Sequence, residues 1–158
     1  MSRAFVSEDA ADASAAALPE RPISSHPNLV TPRGIALLED HVVRLKAALA
    51  AASSDDVGRP TLLRDLRYWQ ARRTSARLVD PPPATPTEVA FGTSVLVRRD
   101  DGKTSRYRIV GEDEADPSKG LLSLTAPLAR ALLGARIGDT VEVGGGRGTV
   151  TVEEIGGI

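Results

Sequence analysis

Two adjacent carboxylates, Asp55 and Asp56, occupy a short polar break, AASSDDVGRP, between two segments with apolar periodicity. Ionised carboxylates only accept hydrogen bonds, and their hard oxygen atoms suit divalent cations such as Mg²⁺. Aspartate is also common at helix ends and in turns, where it caps backbone N–H groups and is well solvated. The residues of the break leave both interpretations open, and the flanking segments decide what the pair can reach.

The first flanking segment, residues 31–52, predicts a helix. Thr31 suits the N-cap position and Pro32 the first helical position. The apolar side chains alternate at spacings of three and four, which indicates the heptad seam of a coiled coil. The seam consists of Ile35, Leu38, Val42, Leu45 and Leu49.

The second flanking segment, residues 61–79, predicts another helix. One face carries Leu62, Leu66, Trp69 and Ala76, with Arg73 in the same register. Two helices joined by a short turn run antiparallel. At 1.5 Å per residue the hairpin over residues 31–79 is about 30 Å long, and the acidic pair lies at its tip, within residues 53–60.

The rest of the chain predicts a different architecture. Residues 1–30, rich in Ala, Ser, Asp and Pro, predict a disordered lead-in. Residues 80–88, DPPPATPTE, predict a stiff extended linker and a domain boundary. Residues 89–158 predict short strands with turns and one short helix, which begins at Pro127. The fold class is therefore α+β: a two-helix coiled coil followed by a small, mainly antiparallel sheet domain.

Composition excludes several classes of function. The formal net charge is −1, so no strong global field attracts nucleic acid. The absence of cysteine excludes disulfides and thiolate metal sites, and agrees with a reducing cytoplasm. The sequence contains no apolar run long enough for a membrane span, and the acidic N-terminus predicts no export signal. We therefore expect a cytoplasmic protein without a membrane partner.

The stretch RYRIVGEDEADPSKGLLSLTAPLARALLGARIGDTVEV resembles the C-terminal domain of the bacterial GreA/GreB transcript-cleavage factors. Its elements YRIVG, DEAD, APLARALLG and IGD follow in order at fitting spacing over about residues 89–155. VTPRG and the pattern of Tyr68, Ala71 and Arg72 more weakly resemble the N-terminal hairpin of that family. The resemblance implies an N-terminal antiparallel coiled coil and an FKBP-like C-terminal sheet domain.

The resemblance also implies a partner and a mechanism. Gre-type factors dock on RNA polymerase at its secondary channel and extend the hairpin towards the active site, where backtracked RNA lies. Asp55 and Asp56 would then help to hold a second Mg²⁺, and the polymerase itself would hydrolyse the RNA. We accordingly expect no enzyme in its own right, no stably bound cofactor, and a monomer that binds bacterial RNA polymerase.

The tip departs from the family pattern. Where that pattern places two acids, this chain has Thr61 and Arg64, and Asp65 falls on the Asn position. The hairpin is also shorter in both arms, and each residue lost from both arms withdraws the tip by about 1.5 Å. The alternative is therefore a non-cleaving regulator, similar to Rnk, that competes for the channel.

The short helix of the sheet domain carries the implied docking residues. Pro127 matches the family proline at the start of this helix, and Thr125 and Ala126 stand where the family often has Asp-Ser. A plain helix start explains Pro127 equally well. A prolyl isomerase is a further alternative on fold alone, although only Phe91 and Tyr107 could supply the aromatic walls of its pocket.

Other polar features have ordinary structural interpretations. The acidic run of Glu112, Asp113, Glu114 and Asp116 predicts a solvated loop. GGGRG predicts a glycine hairpin turn, since a strand and not a helix follows it. His26 and His41 have no partner at metal-ligand spacing. The arginines of the second helix predict solvated coiled-coil charges; they are Arg59, Arg64, Arg67, Arg72, Arg73 and Arg77.

Overall fold

The computed structural model describes residues 18–157. These residues form two compact units, one of residues 18–25 and 37–75 and the other of residues 26–36 and 76–157. The first unit is helical and the second contains the sheets, so each is described by itself. No helix within residues 18–157 is both long and apolar enough to cross a bilayer.

Helix α1 spans Pro32–Ala51 and helix α2 spans Arg59–Ser75. The Thr31 hydroxyl accepts a hydrogen bond from the Gly34 N–H at 3.0 Å, which makes Thr31 the predicted N-cap. Residues 52–58 form the turn between the helices, so the tip lies where the sequence predicts it. The Gly58 carbonyl accepts a hydrogen bond from the Leu62 N–H at 3.1 Å, which begins the hydrogen-bonding pattern of α2.

The two helices of the first unit run antiparallel. Near the tip, an Nη1–H of Arg59 donates to the Leu49 carbonyl at 3.2 Å. Farther along, the rings of His41 and Trp69 stack with centroids 3.9 Å apart. Later residues of α2 thus contact earlier residues of α1, as expected for an antiparallel hairpin. Of the predicted seam, Leu38 and Val42 are buried in this unit.

The second unit holds two sheets. In the small one, β1 (Leu29–Val30) pairs in parallel with β2 (Arg77–Leu78). The large one has five strands in the order β5-β4-β3-β7-β6, all antiparallel except the β4–β5 pair. Its strands are β3 (Ser94–Arg99), β4 (Thr104–Val110), β5 (Leu121–Ser123), β6 (Thr140–Glu142) and β7 (Thr149–Gly156).

Helix α3 (Pro127–Leu132) completes the core of the five-stranded sheet. Its Ala129 and Leu132 are fully buried, and alternate strand residues such as Val95, Val97 and Ile109 face them. This inward alternation is the period-two pattern of a half-buried strand. The predicted mainly antiparallel sheet with one short helix is therefore confirmed.

The sequence predicts that residues 1–30 are disordered, but the structure has a paired strand, β1, at the end of this segment. Residues 1–17 lie outside the described residues, but β1 is ordered and pairs with β2. A Cβ on Gly111 would overlap the Leu29 carbonyl, so only glycine permits this approach of β1. A polar, proline-rich composition does not reveal such a backbone contact.

The predicted second helix, residues 61–79, also ends earlier than expected. α2 stops at Ser75 because the chain turns into β2, where the N–H of Arg77 donates to the Asn28 carbonyl at 2.8 Å. The proline-rich residues 80–88 have no helix or strand, as expected of a linker, yet they lie close to the sheet. Pro82 packs at the buried Gly92, and the Pro83 carbonyl lies against Gly157.

Candidate functional site

The tip presents its two acids differently. Both Asp55 and Asp56 are exposed. Asp56 Oδ1 accepts a hydrogen bond from the Gly58 N–H at 2.7 Å, and its carbonyl accepts one from the Arg59 N–H at 3.1 Å. Asp55 has no side-chain partner among residues 18–157. Asp56 therefore builds the turn, while the Asp55 carboxylate is available to a ligand.

The tip alone is a poor cation site. Two neighbouring carboxylates supply few ligands for Mg²⁺, which completes an octahedron with waters and substrate phosphates. Within the described part of the chain, no group of three or more His, Cys, Asp or Glu side chains is arranged to hold a metal ion. Any metal at Asp55 and Asp56 would need ligands from another molecule. Beside them, Val57 is 98 % exposed, so the apex is also apolar.

Asp65, which the family register places on the Asn position, is not an alternative ligand. Its carboxylate lies 3.1 Å from a nitrogen of Arg64 and 3.6 Å from one of Arg21. Two guanidinium groups thus compensate its charge, and the side chain is mostly covered. The carboxylate is held along α2 and contributes nothing to the tip.

The start of α3 forms a corner in which Pro127 is exposed and Thr125 and Ala126 are half-buried. The hydroxyls of Ser123 and Thr125 lie 2.8 Å apart, and the Thr125 N–H donates to Ser123 Oγ at 3.2 Å. Ala126 takes the N-cap position without a side-chain cap, and Pro127 follows at the first helical turn. Pro127 is exposed, while Ala129 beneath it is fully buried. The buried face of α3 therefore fixes the position of Pro127.

A cleft of about 410 Å³ lies beside this corner, between α3 and the sheet. Its floor is apolar and includes Val97, Leu128 and Val143, while Arg99 and Arg147 stand at its rim. Arg147 has no ion-pair partner within residues 18–157. The sequence does not reveal this cleft, because its wall residues come from three elements far apart in the chain.

The acids at the rim of the cleft are already engaged. Asp100 accepts hydrogen bonds from the Thr149 hydroxyl at 2.7 Å and from the Thr149 N–H at 3.2 Å. The hydroxyl bond, followed by the backbone bond, lowers the pKa of Asp100 below its ordinary value. Asp101 accepts from the Lys103 N–H at 2.9 Å. The cleft therefore combines an apolar floor with a rim that carries acids as well as arginines, which suits a partner that combines apolar and charged groups.

The aromatic residues considered for a prolyl isomerase do not form its pocket. Neither Phe91 nor Tyr107 lines the cleft beside α3. The Tyr107 hydroxyl instead accepts a hydrogen bond from Arg99 at 2.9 Å. Since that chemistry needs aromatic walls, the geometry disfavours it.

Two charged residues that the sequence predicts to be solvated are buried. Glu114, predicted in a solvated loop, is only 7 % exposed, and Arg72, predicted as a solvated charge, is 1 % exposed. Both predictions are wrong. Every buried side-chain nitrogen and oxygen within residues 18–157 has a hydrogen-bond partner, so the Arg72 guanidinium is compensated. A heptad register assigns a face to Arg72 but cannot show that its long side chain is enclosed.

The buried Glu114 carboxylate is held at the first turn of α1. Thr31 Oγ1 donates to Glu114 Oε2 at 2.6 Å. A capping box would carry Glu or Gln three residues after Thr31, but this chain has Gly34 there. A Cβ on Gly34 would lie 3.1 Å from Glu114 Oε2, so the glycine leaves room for the carboxylate. The sequence Thr-Pro-Arg-Gly at residues 31–34 indicates a helix start with room at Gly34. It does not indicate that Glu114 fills that room.

The predicted glycine turn is present, and one of the two histidines packs within the hairpin. In GGGRG the glycines Gly145, Gly146 and Gly148 have positive φ, as a glycine turn requires. His41 stacks on Trp69 with an interplanar angle of 3°, which makes it part of the hairpin packing. His26 belongs to no group of three or more possible metal ligands within the described residues.

Comparisons with known proteins converge on one family. Residues 84–156 match the family model for "Transcription elongation factor, GreA/GreB, C-term". The chain is 41 % identical to the transcription elongation factor GreA of Desulfovibrio desulfuricans over 92 residues, 58 % of this chain and 57 % of that protein. It is 36 % identical to GreA of Agrobacterium fabrum over 105 residues, 64 % of this chain and 63 % of that protein.

The chain thus spans about half the length of the curated relatives it matches. A solved structure, the transcription elongation factor GreA/GreB from Nitrosomonas europaea, is 24 % identical with a TM-score of 0.40. That comparison covers 84 % of this chain and 99 % of the other.

Proposed function

We propose that this chain is a transcription elongation factor of the GreA/GreB type, which binds bacterial RNA polymerase and modulates elongation from the secondary channel. The sheet domain docks at the channel rim, and the hairpin tip enters the channel. The observation that carries the proposal is the family match over residues 84–156, which covers the whole five-stranded sheet and α3.

The geometry around α3 supports the docking step. Pro127 is exposed at the start of α3, whose Ala129 and Leu132 are buried, and Thr125 and Ala126 beside it are half-buried, so docking there needs little reorganisation. The adjacent cleft adds an apolar floor that includes Leu128, with Arg147 at its rim. A partner surface with an apolar anchor and charged groups nearby would fit this corner and the cleft together.

The geometry of the tip supports a direct role for Asp55. In the polymerase active site, a carboxylate from the tip would join existing ligands to hold a second Mg²⁺, which stabilises the attacking and leaving oxygens of a phosphodiester. Asp55 is free to do this, whereas Asp56 has one oxygen committed to the Gly58 N–H. The polymerase would remain the enzyme, and this chain would supply the ligand.

A specific observation favours the alternative, a regulator that occupies the channel without promoting cleavage. The tip offers one uncommitted carboxylate, and the helices have only 20 and 17 residues. At 1.5 Å per residue these arms are about 30 and 26 Å long. Metal ligation tolerates errors of only a few tenths of an ångström, so a short arm would leave the ligand out of reach.

Binding to purified bacterial core polymerase tests the docking step. Pro127→Asp places a charge on the exposed corner and is expected to weaken binding by about tenfold or more, equal to at least about 1.4 kcal/mol. Pro117→Asp is the matched control, because Pro117 is an exposed proline at the start of another short helical turn. Absence of binding by the wild-type chain would refute the proposed function.

A stalled, backtracked elongation complex separates the two modes of action. Under the cleavage mode, the wild-type chain shortens the RNA, and Asp55→Asn abolishes shortening while polymerase binding is retained. Under the occupancy mode, the chain binds without shortening and blocks an added cleavage factor. Asp40→Asn serves as the control, since Asp40 is an exposed acid on α1 away from the tip. If the Asp55→Asn variant still stimulates shortening of the RNA, Asp55 has no role in cleavage.

A further inference from the structure

The segment before β1 lies along α2. Glu20 and Arg67 form a two-pronged contact: Arg67 Nη2 lies 2.6 Å from Glu20 Oε1, and Arg67 Nε lies 3.1 Å from both carboxylate oxygens. Arg67 is 47 positions away in sequence, so this is a tertiary contact. The segment of residues 18–25 therefore has a defined place on the helical unit, although it contains neither helix nor strand.

The next residue of the segment, Arg21, contacts the same face. Its guanidinium lies 3.9 Å from the centre of the Tyr68 ring and 3.6 Å from Asp65. Tyr68 meets Trp69 edge to face at 4.9 Å, and Trp69 stacks on His41 of α1. A row of ring and cation contacts thus links the segment to both helices, each of a kind that stabilises partly exposed surfaces.

The contacts that hold the segment are of a reversible kind. The side chains of Glu20 and Arg67 are 61 % and 50 % exposed, so water and salt screen their attraction. No backbone hydrogen bond between residues 18–25 and either helix accompanies them within the described chain. Ile23 is 53 % exposed and adds little burial. Charge and the contacts of Arg21 with the Tyr68 and Trp69 rings are consequently prominent in holding the segment.

We propose that residues 18–25 form a releasable strap on α2, in which Glu20 occupies Arg67 and Arg21 covers Tyr68. When closed, the strap withholds the guanidinium group of Arg67 and one face of Tyr68 from other molecules. When open, it exposes both groups. Rising ionic strength opens the strap, because it screens the pair that closes it. The inference concerns the free protein and does not rest on polymerase binding.

Paramagnetic relaxation enhancement in the full chain tests the strap. The sequence contains no cysteine, so a nitroxide on Ile23→Cys is a unique label. In the closed strap the label broadens the amide signals of Arg64, Arg67 and Tyr68. Most of this broadening is expected to be lost at about 0.5 M NaCl, where the Debye length is roughly 4 Å.

Matched variants test whether the loss of broadening results from breaking the contact between Glu20 and Arg67. Glu20→Gln removes the charge and is expected to lose most of the broadening even at low salt. Glu39→Gln is the control, since Glu39 makes a comparably exposed pair with Arg73 outside the strap. Circular dichroism verifies that both variants keep their helices. Broadening that persists in high salt and in Glu20→Gln, or that is absent from the wild-type chain at low salt, would overturn the proposal.

Discussion

The sheet unit and the helical unit are stabilised by different physical means. The sheet unit has an extensive cluster of buried apolar side chains, beside which the polar Thr93 and Glu114 are also buried. In the helical unit, Leu38 and Val42 are the buried apolar residues of the described part, and the most enclosed large side chain is Arg72. The family match also falls on the sheet unit. The comparison teaches that the sheet unit is stabilised mainly by apolar packing, whereas the hairpin depends on charged and aromatic contacts.

The largest expected effect is in the apolar core of the sheet unit. Ile109 is fully buried between the sheet and α3, so Ile109→Ala is expected to destabilise the protein by about 3 kcal/mol through lost burial and a residual cavity. Ile137→Ala is the control, because Ile137 is 61 % exposed and its truncation should cost less than about 0.5 kcal/mol. Urea unfolding followed by circular dichroism measures both; equal losses would contradict the apolar-core account.

The next effect sharpens the contrast, because it concerns a charged residue. Arg72→Met keeps much of the side-chain volume but leaves buried polar partners unsatisfied, and is expected to cost about 2–3 kcal/mol. The neighbouring Arg73→Met removes an exposed pair with Glu39 and should cost less than about 0.5 kcal/mol. Thermal unfolding monitored at helical wavelengths compares the two. Similar melting of both variants would mean that enclosure of Arg72 has no energetic role.

At the tip, the two acids should differ in stability as they differ in geometry. Asp56→Ala removes the acceptor of the Gly58 N–H and is expected to destabilise the hairpin by about 0.5–1 kcal/mol. Asp56→Asn retains an acceptor oxygen and should restore most of that loss. Asp55→Ala touches no partner and should change stability by less than about 0.3 kcal/mol. A larger loss in Asp55→Ala than in Asp56→Ala would reverse the assignment.

The smallest effect is the acid response of the strap. The hydrogen bond from Arg67 lowers the pKa of Glu20 below its ordinary value of 4.5, with Arg64 adding a weaker attraction. Because the carboxylate is the bound form, the contact is fully present above pH 4.5 and is lost as the pH falls through the lowered pKa. Arg21 and Asp65 also face this contact. The broadening from the Ile23→Cys label should stay constant from pH 7 to 5 and fall only below pH 4.5.

Local signals in the sequence were sufficient for most of the fold. Thr31 and Pro32 give the start of α1, and the run of Ser, Asp and Gly gives the tip, because caps and turns depend on neighbouring residues. The same logic correctly places the turn of GGGRG and the start of α3 at Pro127. These elements need no knowledge of distant contacts.

What the sequence concealed depends on contacts between distant residues. Glu114 is buried because Thr31, 83 positions earlier, donates to it and Gly34 leaves space. β1 is ordered because it pairs with Arg77–Leu78. The composition of the segment before it indicated disorder, since opposite charges such as Glu20 and Arg67 cannot be paired from composition. The cleft beside α3 was hidden for the same reason.

The measurement that tests the account most directly is the structure, by electron cryomicroscopy, of this chain bound to a backtracked bacterial RNA polymerase complex. The account predicts that Pro127 lies at the contact with the outer rim of the secondary channel. It also predicts that Asp55 is the residue of this chain nearest to the catalytic Mg²⁺. A complex in which the hairpin remains outside the channel, or in which the start of α3 faces solvent, would contradict it.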